Sequence, residues 1–272
     1  MSSEIPDLVL KGPSQVAEIL RHQVEAAATS AVNILLKGES GVGKTCLARH
    51  IHHHSRRRVH PFAVVSCDAL PEPVLLSELF GHEAGSFEGA YRRKVGLVRQ
   101  ADRGTVALRG LARVGTRVQL HLLRLATSGE VWPIGAPPGR AGNPPAHSSV
   151  RLIGIADEDL TKTLEAGTFS RELVHRLAAV EISVPPVRDR ADDIPVLFEQ
   201  CLVDAGRVHS RPAPQLSADA EACARQYHWP GNIRELRRIA ELLAKRSFGG
   251  RLSETDLRAA LDPGSRPPGR DG

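Results

Sequence analysis

The stretch Gly38-Glu39-Ser40-Gly41-Val42-Gly43-Lys44-Thr45 has the spacing G-x-x-x-x-G-K-S/T. Its glycines let successive backbone N–H groups turn inward around an anion. In a loop of this kind Lys44 reaches the β- and γ-phosphates of a nucleoside triphosphate, and the Thr45 hydroxyl ligates Mg²⁺. The flanks agree with that reading. Val32-Asn33-Ile34-Leu35-Leu36 predicts a short buried strand. Lys44 to His54, with Leu47, Ala48 and Ile51 at helical spacing, predicts a helix whose N-terminus faces the phosphates.

Outward from the loop, strands and helices alternate. Pro13 to Ala28 carries Val16, Ile19, Leu20 and Val24 at helical spacing. Strands are predicted at Pro61–Val65, Thr105–Leu108, Val150–Ala156 and Val180–Val184, and helices at Leu75–Phe80 and Val118–Ala126. Gly81 to Lys94 reads as irregular, and Gly135 to Ser149, with four prolines, as a flexible connection. This alternation argues for an α/β fold with a parallel sheet covered by helices on both faces. From Pro185 strands are expected to cease, with helices at Ala191–Ala205, Ser217–Tyr227, Asn232–Ser247 and Ser253–Leu261. The last opens on a Ser253-x-x-Asp256 capping pattern.

Bulk composition narrows the function classes. At 272 residues with 41% hydrophobic and 25% charged residues, the chain has the make-up of an ordinary globular protein. No apolar run approaches the ~20 residues of a membrane span, and the N-terminus does not read as a signal peptide. Cys46, Cys67, Cys201 and Cys223 are scattered without a C-x-x-C pair, the pattern of reduced thiols in a cytoplasmic protein. The net charge of +5 is spread along the chain, and only 4% of residues are aromatic, so no stacking platform for single-stranded nucleic acid is expected. His52-His53-His54 with His60 lacks zinc-ligand spacing, because adjacent helical residues point in different directions.

These motifs together resemble one family, the central AAA+ ATPase domain of sigma-54-dependent transcription activators (the bacterial enhancer-binding proteins). The resemblance runs over roughly residues 8 to 262. It rests on the phosphate loop, Pro61 to Pro71, Ser77-Glu78-Leu79-Phe80-Gly81-His82-Glu83 and Gln100-Ala101-Asp102-x-Gly104-Thr105. Pro185-Pro186-x-Arg188-x-Arg190, Asp192-Asp193-Ile194-Pro195 and Trp229-Pro230-Gly231-Asn232-Ile233-Arg234-Glu235-Leu236 extend it. The resemblance implies a P-loop NTPase fold: a leading segment 1–12, an AAA+ nucleotide-binding domain 13–184, a small α-helical lid 185–261 and a disordered tail 262–272. It also implies ATP as cofactor, bound by Gly38 to Thr45 and read by Arg234. ATP would sit between subunits of a homo- or hetero-oligomeric ring, with a surface loop touching sigma-54 to drive promoter opening.

The chain departs from the family pattern at working positions. Arg109-Gly110 stands where the family has Asp-Glu, the Asp holding Mg²⁺ through water and the Glu activating the attacking water. Loss of a general base alone costs ~10²–10⁴ in rate. Two unit charges 4 Å apart at an effective dielectric of 20 interact by about 4 kcal/mol, so Arg109 either disfavours the metal and favours phosphate oxygens or points to solvent and does neither. Asp157 occupies the first sensor position, in place of a polar residue. The sigma-contacting loop reads Gly85-Ser86-Phe87-Glu88-Gly89-Ala90, with Glu88 where the family has threonine, which argues against productive contact with sigma-54 or RNA polymerase. Of two arginine fingers Arg176 is in place, whereas the other position holds Ser170 and Arg171 lies one helical step of about 100° away. No helix-turn-helix follows the lid, so no DNA-binding domain is evident.

The sequence thus predicts an ATP-binding AAA+ protein of the sigma-54-activator type, acting in transcription regulation with impaired hydrolysis. Three alternatives stand beside it. The chain could be an active unorthodox ATPase that uses Asp157 or Glu158. It could be an interaction module independent of nucleotide. A small-molecule P-loop kinase is disfavoured by the match through the Trp229–Leu236 segment.

Overall fold

The computed structural model describes residues 6–135, 145–246 and 250–262. The predicted tail beyond Asp262, and most of the predicted connection between Gly135 and Ser149, lie outside them. Two compact units make up the chain: one holds His22–Gly38 and Lys44–Val184, the other Met1–Arg21, Glu39–Gly43 and Pro185–Gly272.

The first unit is built on a five-stranded parallel sheet of β1 (Ile34–Lys37), β2 (Phe62–Ser66), β3 (Thr105–Arg109), β4 (Arg151–Ile155) and β5 (Val180–Ser183). The order across it is β2-β3-β4-β1-β5. Registers align the strand ends, with Ser66 opposite Arg109, Arg109 opposite Ile155, Leu36 opposite Ile155 and Lys37 opposite Ser183. Successive strand residues face opposite sides, and both sides are apolar. Leu35, Val106, Leu108 and Leu152 pack into one cluster with Leu76, Leu79, Leu122 and Leu173. These four come from helices α3 (Glu72–Phe80), α4 (Thr116–Ser128) and α6 (Arg171–Leu177). The alternate residues Ile34, Leu36, Ala107 and Ile153 are equally buried. Their side of the sheet faces α2 (Lys44–His53), which buries Leu47, Ala48 and Ile51. Helix α1 (Gln15–Thr29) precedes β1, and α5 (Glu158–Glu165) lies between β4 and α6.

The predicted helix at 44–54 and all five predicted strands are present, with ends shifted by up to two residues. Two expectations need correction. Gly81 to Lys94 is not irregular throughout, since Gly81–His82 pairs antiparallel with Lys94–Val95. Helix α5 has no counterpart among the expected elements, and α6 is anticipated only in the helical step from Ser170 to Arg171. Both are short, and α5 (Glu-Asp-Leu-Thr-Lys-Thr-Leu-Glu) has too few apolar residues to show a period.

The second unit is helical: α7 (Ile194–Val208), α8 (Ala218–Gln226), α9 (Asn232–Arg246) and α10 (Glu254–Leu261). The predicted helix from Ala191 starts instead at Ile194, after a 3₁₀ segment Val187–Asp193. Pro195 fits the first turn, where its missing N–H costs no bond. The Asp193 carboxylate is taken up outside the helix, accepting from the Ser14 backbone N–H at 2.8 Å and its hydroxyl at 2.7 Å. Strands do not cease at Pro185 as expected, because Gln215–Leu216 pairs in parallel with Arg251–Leu252. Two residues are too few to show a period, and Pro212 and Pro214 hold the chain extended before the first of them. Ser253 caps α10 through the predicted box with Asp256. The core of this unit centres on Trp229, which is fully buried and stacks edge-on with Phe198 at 5.6 Å and Tyr227 at 5.1 Å. Its indole N–H donates to the Ala224 carbonyl at 2.8 Å.

Leu108→Ala should lower unfolding stability by about 2–5 kcal/mol, through lost transfer energy and a cavity. Leu120→Ala on α4, where 48% of the residue is exposed, should change it by less than about 0.5 kcal/mol. Urea melts of the two variants check the contrast. His52 of α2 makes a second expectation. It is buried against Thr105, with its Nδ1 at 2.9 Å from the hydroxyl. Burial first, then the charge of His53, pull its pKa from 6.5 to about 4. The fold therefore favours neutral His52, while the unfolded chain takes up a proton below pH 6.5. Its contribution is fully present above pH 6.5 and fades as pH falls towards 4, by up to about 3 kcal/mol. His52→Gln should flatten that part of a stability-versus-pH curve measured by urea denaturation.

Candidate nucleotide site

The phosphate loop leaves β1 at Gly38 and enters α2 at Lys44. Gly38, Gly41 and Gly43 have φ of 144°, 85° and 99°, a region that side chains with a Cβ rarely adopt. The backbone therefore has the dihedrals that an anion cradle needs, and α2 presents its N-terminal N–H groups at the loop's end. The Lys44 side chain is buried and its ammonium donates to the Gly38 carbonyl, so it folds back across its own loop. Thr45 is half-buried in the first turn of α2.

The tip of the loop, Glu39–Gly43, is braced by residues of its own unit. Arg188 donates to both Glu39 carboxylate oxygens, one bond measuring 2.9 Å. The Asn232 amide donates to Glu39 Oε2 at 3.0 Å and to the Ser40 carbonyl at 3.1 Å, while its Oδ1 accepts from the Val187 N–H at 2.9 Å. Asn232 is fully buried at φ 52°. It gives the Trp-Pro-Gly-Asn turn a mechanical role, since asparagine tolerates the left-handed region and carries both donor and acceptor. Arg234 contributes its backbone N–H to the Gly41 carbonyl at 3.2 Å and its guanidinium to Ser40 Oγ at 3.3 Å. Two close approaches explain the glycines. A Cβ on Gly41 would lie 2.3 Å from the Gly231 carbonyl oxygen, and one on Gly43 would lie 2.3 Å from Val9. Val9 is itself held through its carbonyl by buried Arg190 at 2.7 Å.

Arg188, Asn232 and Arg190 were quoted in the sequence only as pattern matches. Their bracing of the loop could not be read there, because each partner lies more than 140 residues away. Glu39 would repel a phosphate if left alone. Arg188 and Asn232 tie up its oxygens, and this removes part of the repulsion.

In the sheet unit, the C-terminal ends of β1, β4 and β3 lie side by side. This is the edge at which open α/β sheets bind ligands. Asp157 follows β4 as the N-cap residue of α5, exposed and without a side-chain cap bond. Glu158 is the next residue, and its side chain lies outside the described ones. Arg109 ends β3 and is exposed. Gly110 is left-handed, with φ 66° and ψ 34°. A Cβ there would meet Asp68 Cγ at 2.7 Å and Oδ1 at 2.8 Å. The Asp68 carboxylate, following β2, thus fills the space into which a side chain at position 110 would grow. Sequence reasoning missed it, since only the register of β2 against β3 brings it there.

Ser170 caps α6, accepting from the Leu173 N–H at 3.2 Å. Its own N–H donates to Gln119 at 2.8 Å. The serine that replaces an expected arginine therefore serves the local fold. Arg176 is exposed in the last turn of α6. The Gly85–Ala90 loop is closed by the Gly85 N–H donating to the Ala90 carbonyl at 2.7 Å, with Gly85 and Gly89 at φ 77° and 95°. Glu88 is exposed at its tip. Phe87 is 44% exposed and lies edge-on to His82, 4.9 Å between centroids. An open cleft of about 620 Å³ beside the loop is lined by Tyr91, Arg92, Arg93 and Lys94. Arg93 pairs with Glu83 and Lys94 with Glu78, so two of those three cations are already compensated.

Among proteins of known identity, the C4-dicarboxylate transport transcriptional regulatory protein DctD of Rhizobium meliloti is 38% identical over 87% of this chain and 50% of its own length. The response regulator protein PilR of Pseudomonas aeruginosa is 36% identical over 94% of this chain and 56% of its own. The chain spans about half the length of the curated relatives it matches. Crystalline NtrX from Brucella abortus in complex with ATP superposes with a TM-score of 0.81 at 28% identity, covering 95% of this chain and 56% of that one. The family model of the sigma-54 interaction domain matches residues 10–183, and that of the AAA+ ATPase lid domain matches residues 188–270. Loop, sheet edge and lid thus converge on one assignment: the chain belongs to the sigma-54 interaction domain family of transcription activators, with an AAA+ lid following that domain.

Proposed function

We propose that this chain binds ATP as an AAA+ subunit of the sigma-54-activator type and hydrolyses it poorly. One contrast carries the reading: an intact phosphate-loop sequence leaves β1 at the sheet edge where β3 ends in Arg109-Gly110. ATP fits the loop. Its glycines leave the cradle open, Lys44 is in place to leave the Gly38 carbonyl for a phosphate oxygen, and the ATP complex of NtrX supports the choice of nucleotide. No residue at the end of β3 can accept the proton of an attacking water, because a guanidinium only donates and Gly110 has no side chain.

On this reading residues 13–184 are the nucleotide-binding domain and 185–261 the lid. The subunit enters a ring with like or related subunits, offering Arg176 as its one arginine finger. Glu88 at the loop tip places a charge where the family has a small hydroxyl, and this weakens contact with sigma-54. The role in regulation is then to modulate rings of active relatives. A second reading, hydrolysis through Asp157, draws on its exposed carboxylate at the end of the strand beside β1.

Wild type should bind a fluorescent ATP analogue yet turn over Mg-ATP at least about 10²-fold more slowly than a relative with both carboxylates. Turnover at the relative's rate defeats the proposal, and loss of that rate in Asp157→Ala would hand the role to Asp157. Arg188→Ala should weaken nucleotide binding roughly tenfold by freeing the Glu39 charge, with little change in melting, since half-exposed ion pairs add under about 1 kcal/mol. Arg109→Asp with Gly110→Glu should raise hydrolysis, and adding Asp68→Ala, which clears the space beside position 110, should raise it further.

A further inference from the structure

We infer that the nucleoside triphosphate is held without a divalent cation, the Arg109 guanidinium supplying the counter-charge that the family takes from Mg²⁺. This rests on the nucleotide-binding reading above and specifies its chemistry. The residues present fit Mg²⁺ poorly: Thr45 keeps its hydroxyl, but β3 ends without a carboxylate. That ion keeps near-octahedral oxygen coordination and draws on one or two carboxylates beside the phosphates. The strand end that should furnish them offers a cation and a glycine.

The geometry favours Arg109 as the replacement. Only β4 separates β3 from β1. Adjacent strands lie about 4.8 Å apart, so the end of β3 is offset from the strand that feeds the loop by roughly 10 Å. Residue 109 therefore leaves the same sheet edge as the strand that feeds the loop, with a side chain long enough to extend beyond that edge. Arg109 is exposed, and among the described residues no carboxylate forms an ion pair with it. Its backbone is fixed, because its carbonyl accepts from the Cys67 N–H at 2.9 Å. Two carboxylates stand near Arg109, and neither pairs with it. Asp68 packs on Gly110, and Asp157 lies at the end of β4. A guanidinium suits the task better than an ammonium, since its planar fork meets two phosphate oxygens at once.

The test measures binding of a fluorescent ATP analogue to the whole chain in EDTA and in millimolar Mg²⁺. Wild type should bind within threefold in the two media. Arg109→Ala should lose roughly tenfold in EDTA, the equivalent of about 1.4 kcal/mol. Arg109→Asp should lose more in EDTA and recover when Mg²⁺ is added. Arg109→Lys should fall between wild type and Arg109→Ala, which separates a phosphate contact from a role in folding. Wild-type binding that is tenfold or more tighter in Mg²⁺ overturns this inference and leaves nucleotide binding intact. So does Arg109→Ala binding equal to wild type in EDTA. A folded protein, judged by its helical spectrum, that binds in neither medium overturns both readings.

Discussion

Parallel registration of β1, β4 and β3 is the constraint on which the chemistry depends. Because Leu36 pairs with Ile155 and Ile155 with Arg109, the residues that leave these three strands emerge together at one edge. Side chains far apart in sequence become neighbours there without any dedicated contact. The same register makes the edge unforgiving. A residue at the end of β3 is held by ladder bonds on both sides, so a change of side chain alters the chemistry and leaves its position unchanged. Arg109 therefore stands in the place a carboxylate would hold, with opposite charge.

The phosphate loop obeys a different rule. A run of backbone with φ of 144°, 85° and 99° has little intrinsic preference for one shape, since glycine gives up more conformational freedom on ordering than any other residue. Its shape is imposed from outside by Glu39 tied to Arg188 and Asn232, by Gly41 against Gly231 and by Gly43 against Val9. These contacts are local to the loop's own unit and use none of the residues at the end of β3. The shape of the loop and the side-chain chemistry at the end of β3 are thus set by separate parts of the chain. One can be altered while the other persists.

Legibility in the sequence follows the same division. The loop, its flanking strand and helix, and the alternation that makes a parallel sheet could be read directly, because each is a local pattern of residue type and spacing. The family resemblance located Arg109, Ser170 and Glu88 as departures. Local patterns could not show that Asp68 fills the space beside Gly110, since that depends on the register of β2 against β3. They could not show Asn232 bonded to Glu39 either, as 193 positions separate the two. The start of α7 was misjudged for a related reason: Asp193 reads as a helical residue, yet its carboxylate is committed to Ser14. Two-residue strands such as Gln215–Leu216 exist only by virtue of their partner and carry no period.

Asp68 also bears on whether the β3 substitutions are isolated. A glutamate at position 110 would need the space that the Asp68 carboxylate now occupies, and a Cβ there would approach it to 2.7 Å. Gly110 itself adopts a left-handed conformation that costs other residues roughly 1 kcal/mol or more. The strand end is thus adapted to its missing side chain in dihedral angle and in packing alike. Ser170, where the family resemblance leads one to expect an arginine, serves as the cap of α6. Ser170 thus makes a structural contact of its own, and Gly110 leaves room for the Asp68 carboxylate. A side chain at position 110 would require the exposed Asp68 carboxylate to move, and one in place of Ser170 would remove the cap of α6.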